Sequence, residues 1–92
     1  MIGYMTLSLH IPQAQSLKDK RHVLKGIVEG MRRKYNVSIA EMGEQNLHQR
    51  ATLGVACVSN DQAQVHRVLE AVHGAIESRP DALVCAVAME ML

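Results

Sequence analysis

Residues 16–35, SLKDKRHVLKGIVEGMRRKY, read as one amphipathic helix, and a helix with a single apolar stripe must lie against a flat apolar surface supplied by the rest of the chain. Leu17, Leu24, Ile27, Val28, Met31 and Tyr35 recur at steps of three, four and seven, which at about 100° per residue places them on one side. Ser16 precedes them as N-cap, with Asp19 in the acidic position of a capping-box-like pair. The opposite arc holds Lys18, Arg21, His22, Lys25 and Arg32, interrupted only by Glu29. Seven of the ten Lys and Arg fall in this window against two acids, whereas the remaining residues hold three basic and seven acidic side chains. The near-zero net charge therefore conceals a strongly polarised molecule.

The segments flanking this helix supply the flat surface. Residues 2–11 alternate, with Met5, Leu7, Leu9 and Ile11 on one face and Tyr4, Thr6, Ser8 and His10 on the other, the period of a half-buried strand that Pro12 stops. After Asn36, residues 37–42 resume an extended pattern, the polar loop of residues 43–50 (GEQNLHQR) follows, and residues 51–58 form a third apolar run. These last two runs predict a long hairpin. Ser59 or Asn60 is the expected N-cap of a second helix with Val65, Val68, Leu69, Val72 and Ile76 as its stripe, ended by Arg79-Pro80. Residues 82–92 are the last strand, with Leu83, Cys85, Val87, Met89 and Met91 on one face.

The order β-α-β-β-α-β predicts an α+β, ferredoxin-like domain over residues 1–92: a four-stranded antiparallel sheet, first and third strands central, with both helices on one face. Such a layout leaves the other face bare. Tyr4, Thr6, Ser8 and His10 would line it beside Gly54, Ala56, Ala86 and Ala88, and a face so poor in charge predicts a homo-oligomer through the sheet.

Composition narrows the class further. With 48% hydrophobic and 21% charged residues in 92, the chain suits one globular domain, its core filled by Met, Val, Leu and Ala in the absence of Phe and Trp. No apolar run approaches the roughly 18 residues that a membrane span needs, and no leader pattern opens the chain, so a cytoplasmic protein without membrane contact is expected. Cys57 and Cys85 are isolated in apolar segments and are expected to be reduced, buried thiols.

The run LHIPQAQSLKDKRHVLK, followed by NVSIAEMGEQNLHQRATLGVACVSND, resembles the bacterial YlxP-like family over nearly the whole chain. The segments SLKDKR, GEQNLHQRA and VSND carry the likeness by their order and spacing, while His48 stands where the family commonly has a Trp. The resemblance implies a ferredoxin-like fold and a gene often near translation-initiation and ribosome-maturation factors. It implies no reaction, cofactor or catalytic residue.

Two readings of the basic arc stand side by side. It is either a solvated face or a surface for phosphates, with Lys18, Arg21, Lys25 and Arg32 along a ridge about 21 Å long. Ribosomal RNA or the small ribosomal subunit is the partner expected on the second reading, through Lys18, Lys20, Arg21, Lys25, Arg32 and Arg50, with loop contacts from Gln45, His48 and Gln49. Lys20 is the odd member, because its angle places it on the apolar side of the helix. It either snorkels past the stripe's edge or sits with Ser16 at the helix N-terminus to receive an anion. Glu41 and Glu44 are candidates to pair with Arg50 or with the basic helix.

Other chemistries find little support. Base stacking on the sheet needs strand aromatics and only Tyr4 is available. His66, Glu70 and His73 share a helix face without the H-E-x-x-H spacing of a metal site, so no metal or other cofactor is expected. No G-x-S-x-G, P-loop or dinucleotide motif occurs, and the turn of residues 11–15 lacks the glycines and Arg of an acylphosphatase cradle. A non-catalytic binding protein is the expectation. The alternative is a protein-interaction or small-ligand regulatory module working as a sheet-mediated homodimer.

Overall fold

Strand alternation and helical periodicity are both realised in the computed structural model, which describes all 92 residues. The elements are β1 (Ile2–His10), α1 (Leu17–Lys34), β2 (Ser38–Gly43), β3 (Arg50–Val58), α2 (Gln62–Glu77) and β4 (Leu83–Met91). The sheet is antiparallel throughout in the order β2-β3-β1-β4, so β1 and β3 are central and both helices cover one face: this is the ferredoxin-like α+β arrangement.

The core lies between that face and the helices. Met5, Leu7, Leu9 and Ile11 from the first strand and its exit meet Leu53, Val55 and Cys57 from β3, and Leu24, Ile27, Met31, Val65, Leu69, Val72 and Ile76 close over them. α2 comes close to β1 because residue 3 is glycine. A Cβ there would collide with Val65 Cγ1 and sit 2.9 Å from Leu69 Cδ1, so Gly3 sets the height at which the helix rides.

Each helix start is satisfied by a side chain. Ser16 Oγ accepts from the Asp19 amide at 3.1 Å, and Asp19 Oδ2 accepts from the Gln15 amide at 2.9 Å, so the reciprocal bond of the box reaches one residue further back than the usual motif. The second helix is capped by Asp61, whose Oδ1 accepts from the Ala63 amide at 3.0 Å, and not by Ser59 or Asn60. Ser59 instead steadies the turn by accepting from the Asp61 amide.

Two irregularities re-aim side chains. β4 carries a bulge, since Ser8 pairs with Ala86 but Leu9 with Val84, leaving Cys85 as the extra residue. Val84 therefore joins Val87, Met89 and Met91 on the helix side, and Leu83 moves to the open face, contrary to unbroken alternation. Cys85 is exposed for the same reason, while Cys57 is buried as expected and both are free thiols. A second shift, between Glu41 and Gly43, displaces Met42. Its Cγ and the Tyr4 hydroxyl approach within 2.7 and 2.6 Å of where a Gly54 Cβ would stand, so a small residue at 54 lets both side chains lie flat across the sheet. At the other end the chain termini meet: the Ser59 amide donates to Met1 O and the Leu92 amide to Ile2 O at 2.8 Å.

Candidate functional site

The buried stripe of α1 consists of Lys20, Leu24, Ile27 and Met31, with a lysine where the first apolar side chain would stand. Lys20 is 1% exposed, the one buried charged residue. Its Nζ donates to the carbonyl oxygens of Glu44 at 2.9 Å, Arg50 at 3.1 Å and Gln45 at 3.4 Å, and lies 3.0 Å from Glu41 Oε2. Neither sequence-level reading of Lys20 applies. The ammonium does not snorkel to water, and it does not wait at the helix N-terminus for an anion; it ties the loop between β2 and β3 to the underside of α1. Its expected contact with RNA is corrected accordingly, because a head group this enclosed offers nothing to a phosphate.

Glu41 reaches the same spot through strand parity. It pairs with Leu53, so it lies on the helix side of β2 together with the buried Ile39. Its Oε2 is sealed from solvent yet receives no aligned hydrogen bond, although Nζ is only 3.0 Å away. The two observations agree once protons are counted. An ammonium has three, and three carbonyls already draw on them, so Glu41 contributes charge and not a well-formed hydrogen bond. The signal was present in sequence as two charges at core-facing positions of neighbouring elements.

The loop held by this lysine has its own internal order. Glu44 takes a left-handed backbone, φ 62°, the sole non-glycine residue to do so. Its carbonyl serves both Lys20 and the Leu47 amide, and its Oε2 accepts from Thr52 Oγ1 at 3.3 Å, so Glu44 pairs with neither Arg50 nor the helix. Gln49 clamps the connection before α1: its Nε2 donates to Ala14 O at 3.1 Å and Pro12 O at 3.3 Å, and its carbonyl accepts from the Ile11 amide. Gln45 and His48 are exposed at the loop tip.

The remaining basic residues divide between two sides of the molecule. Lys18, Arg21, Lys25, Arg32 and Arg33 are exposed along the outer arc of α1. Arg32 donates to Ile39 O at 2.9 Å, covering part of the free edge of β2, and Lys34 sits 5.6 Å from the centroid of the Tyr35 ring. Arg50 pairs with His10 and alternates with the buried Ala51, which sets it on the open sheet face, away from the α1 arc. A groove of about 410 Å³ runs beside the start of α1 over Ile11 and Ala14. Its rim opposes Lys18 and His22 to Asp19 and Asp81, a balanced set that does not make an anion cradle.

Asp81 is the one carboxylate whose acidity is clearly altered. Arg79 grips it with two hydrogen bonds, Nε to Oδ1 at 3.0 Å and Nη2 to Oδ2 at 2.9 Å, and holds its pKa below the ordinary carboxylate value. On α2, His73 pairs with Glu77 at 2.7 Å, and His66 and Glu70 are exposed. No group of three or more His, Cys, Asp or Glu converges as a metal site would require, and no helix is long and apolar enough to cross a membrane.

Similarity to known proteins bears on fold and family. A protein titled "De novo designed protein Foldit4" superposes with a TM-score of 0.62 at 15% sequence identity, over 100% of this chain and 99% of that one, a likeness of fold alone. The "Uncharacterized protein YlxP" of Bacillus subtilis (strain 168) is 42% identical over 81 residues, 88% of each chain. The family described as "Protein of unknown function (DUF503)" matches residues 2–89. With the predicted element order realised and nearly the whole length matched, this chain belongs to the DUF503 family, the YlxP-like proteins.

Proposed function

We propose that the protein is a cytoplasmic, non-catalytic RNA-binding protein that docks on ribosomal RNA or the small ribosomal subunit through the outer arc of α1, in support of subunit maturation or translation. One observation carries the reading. The ion pairs of the molecule are Lys20–Glu41, His73–Glu77 and Arg79–Asp81, so none of the exposed basic side chains of α1 has a carboxylate partner within 4.0 Å. A face that served only solubility would normally mix both signs, whereas an unneutralised ridge releases counterions when it meets a phosphate backbone. Lys18, Arg21 and Lys25 form its most available part, since Arg32 already spends a donor on β2. Ribosomal RNA is favoured among nucleic acids by the gene neighbourhood that the family resemblance implies.

Replacing Lys18, Arg21 and Lys25 together with Glu is expected to abolish cosedimentation with small ribosomal subunits at low salt while the circular dichroism spectrum stays unchanged. Each lost phosphate contact should also flatten the salt dependence of binding by a slope of about 0.7–0.9. Undiminished binding by the triple variant removes α1 as the contact surface. Arg50→Ala, on the other side of the sheet, is expected to bind as the unmodified protein does.

A further inference from the structure

The two edges of the sheet are finished differently. At the β2 edge the outward backbone groups find partners within the chain: the Val37 amide donates to Tyr35 O at 3.0 Å, and Ile39 O accepts from Arg32 at 2.9 Å. The irregularity between Glu41 and Gly43 then breaks that edge. The β4 edge has no such finish. The Leu92 amide donates to Ile2 O, and by antiparallel alternation Ala86, Ala88 and Glu90 likewise turn their backbone groups toward β1. Val87, Met89 and Met91 therefore direct theirs outward, where no backbone group meets them, and the side-chain hydrogen bond of this strand, Cys85 Sγ to Leu83 O, leaves them free. No residue of β4 is buried, and the strand contains neither proline nor lysine. Past the bulge at Cys85, residues 86–91 are a regular, unprotected edge whose one charge is Glu90.

From this contrast we infer that β4 pairs antiparallel with β4 of a second copy of this chain, joining two four-stranded sheets edge to edge. The dyad stands perpendicular to the sheet at Ala88. Ala88 then faces its own image, Val87 faces the partner's Met89, and Ala86 faces the partner's Glu90. The register satisfies the backbone, because Val87 and Met89 both point outward and exchange N–H···O bonds. It places the small Ala88 where the strands come closest, about 4.5 Å between Cα atoms. On the helix side Val87, 37% exposed, and the half-buried Met89 cover one another across the join. Glu90 lies about 14 Å along the strands from its own image. A dyad at Met89 would set the two Glu90 carboxylates diagonally opposite, and one at Val87 would set Met89 against the bulge at Cys85. The strand therefore matches itself in hydrogen bonding, shape and charge in one register, and that self-match names the occupant.

The rest of the fold leaves room for this pairing. α2 rides on β1 at Gly3, one strand in from the edge, so the two copies of α2 stand three strand spacings apart, about 14 Å, beyond the 8–10 Å at which helices touch. Because the β2 edge is capped, each chain has one edge to offer, and pairing closes as a dimer instead of running on into a fibre. Residues 85–91 make an edge about 24 Å long, toward the small end of specific interfaces, which fits a reversible dimer. The homo-oligomer expected from sequence then forms through the edge of the sheet, with its bare face left exposed. α1 is tied to β2 and the loop beyond it, away from the join, so the Lys18, Arg21, Lys25 triple variant should dimerise as the unmodified protein does.

Sedimentation equilibrium and amide hydrogen exchange of the full chain at pH 7 test it. Dimer is expected at about 10–100 µM, with exchange at Val87 and Met89 slowing as concentration rises. Val87→Pro removes an N–H that β1 does not use, and should give monomer with an unchanged circular dichroism spectrum. Val87→Lys, which places a charge in the apolar join, should weaken association by at least about tenfold. With Cys85→Ser to remove the exposed thiol, Ala88→Cys should give a covalent dimer on treatment with oxidised glutathione, and Glu90→Cys should not. A monomer throughout that concentration range overturns the inference, including one whose Val87 and Met89 amides become protected only by a strand of another protein. A dimer that survives both Val87→Pro and Val87→Lys overturns it as well, and crosslinking through Glu90→Cys but not Ala88→Cys overturns the register.

Discussion

α1 and α2 occupy equivalent places over the two halves of the sheet, and each buries four residues at the same spacing: positions 20, 24, 27 and 31 in one, 65, 69, 72 and 76 in the other. Three of the four positions are interchangeable in character. The first is not, being Lys20 in α1 and Val65 in α2. Val65 packs onto the backbone of β1 at Gly3, so that end of α2 is fixed by shape. Lys20 reaches past the sheet to three loop carbonyls and a carboxylate, so that end of α1 is fixed by charge and hydrogen bonds. The comparison teaches that a helical stripe specifies where a side chain goes, while its chemistry decides what else is organised there. In α1 that is a loop; in α2 it is only the core.

The largest expected effect comes from exchanging that chemistry. Lys20→Met keeps the length of the side chain but leaves the sealed Oε2 of the half-buried Glu41 without its partner and the loop without its donor, and should lower unfolding free energy in urea by about 3 kcal/mol. Val65→Ala, the matched change in α2, should lower it by about 2 kcal/mol. A smaller loss at Lys20 than at Val65 would break the contrast. Adding Glu41→Leu to Lys20→Met should recover part of the loss, and the part not recovered reports the three carbonyls.

A middle-sized effect sharpens the comparison at the helix starts. Ser16→Ala and Asp61→Ala each remove the side-chain acceptor of an N-cap, and each should lower stability by about 1 kcal/mol in thermal or urea unfolding. Equal losses would place the difference between the helices in their stripes and not in their ends.

The smallest effect concerns the junction where the exit of α2 touches α1, since Arg79 Nη2 lies 3.3 Å from where a Gly26 Cβ would stand. The Asp81 pKa is depressed on folding, so the Arg79–Asp81 pair stabilises the folded state above the carboxyl's unfolded value, about pH 4, and that stability fades as pH falls through the lower folded value. Both side chains are about one-third exposed, so solvent screening limits the contribution to less than about 1 kcal/mol. Asp81→Asn should lower stability at pH 7 by less than about 1 kcal/mol, with the difference from the unmodified protein shrinking as pH falls below about 4.

Much of the fold was legible because period and turn chemistry are local. The alternation around Met5, Leu7 and Leu9, the stripe of α2 and the cap at Ser16 each follow from neighbours within a few residues. The features that sequence reasoning missed are set by distant partners or by single-residue insertions. Cys85 reads as one more core position until the bulge between Val84 and Ala86 turns it outward, and Leu83 changes face with it. Asp61 wins the cap over Ser59 and Asn60 through the geometry of the turn. Lys20 was visible as an anomaly, but its partners lie as far away as Arg50, and only the meeting of α1 with the hairpin shows that the charge is consumed internally. The set of basic residues read as one surface thereby divides into an outer arc, a buried tie and a residue on the far face.

The meeting of the termini has a consequence for how the chain could be rewritten. The Leu92 amide already donates to Ile2 O, so a short linker could join the two ends without disturbing β1 or β4. Opening the ring at the tip of the latched loop would then yield the order β3-α2-β4-β1-α1-β2, which is again βαββαβ. The rewired chain would keep its topology under circular permutation, with Lys20 now holding together two new ends where it had held a loop.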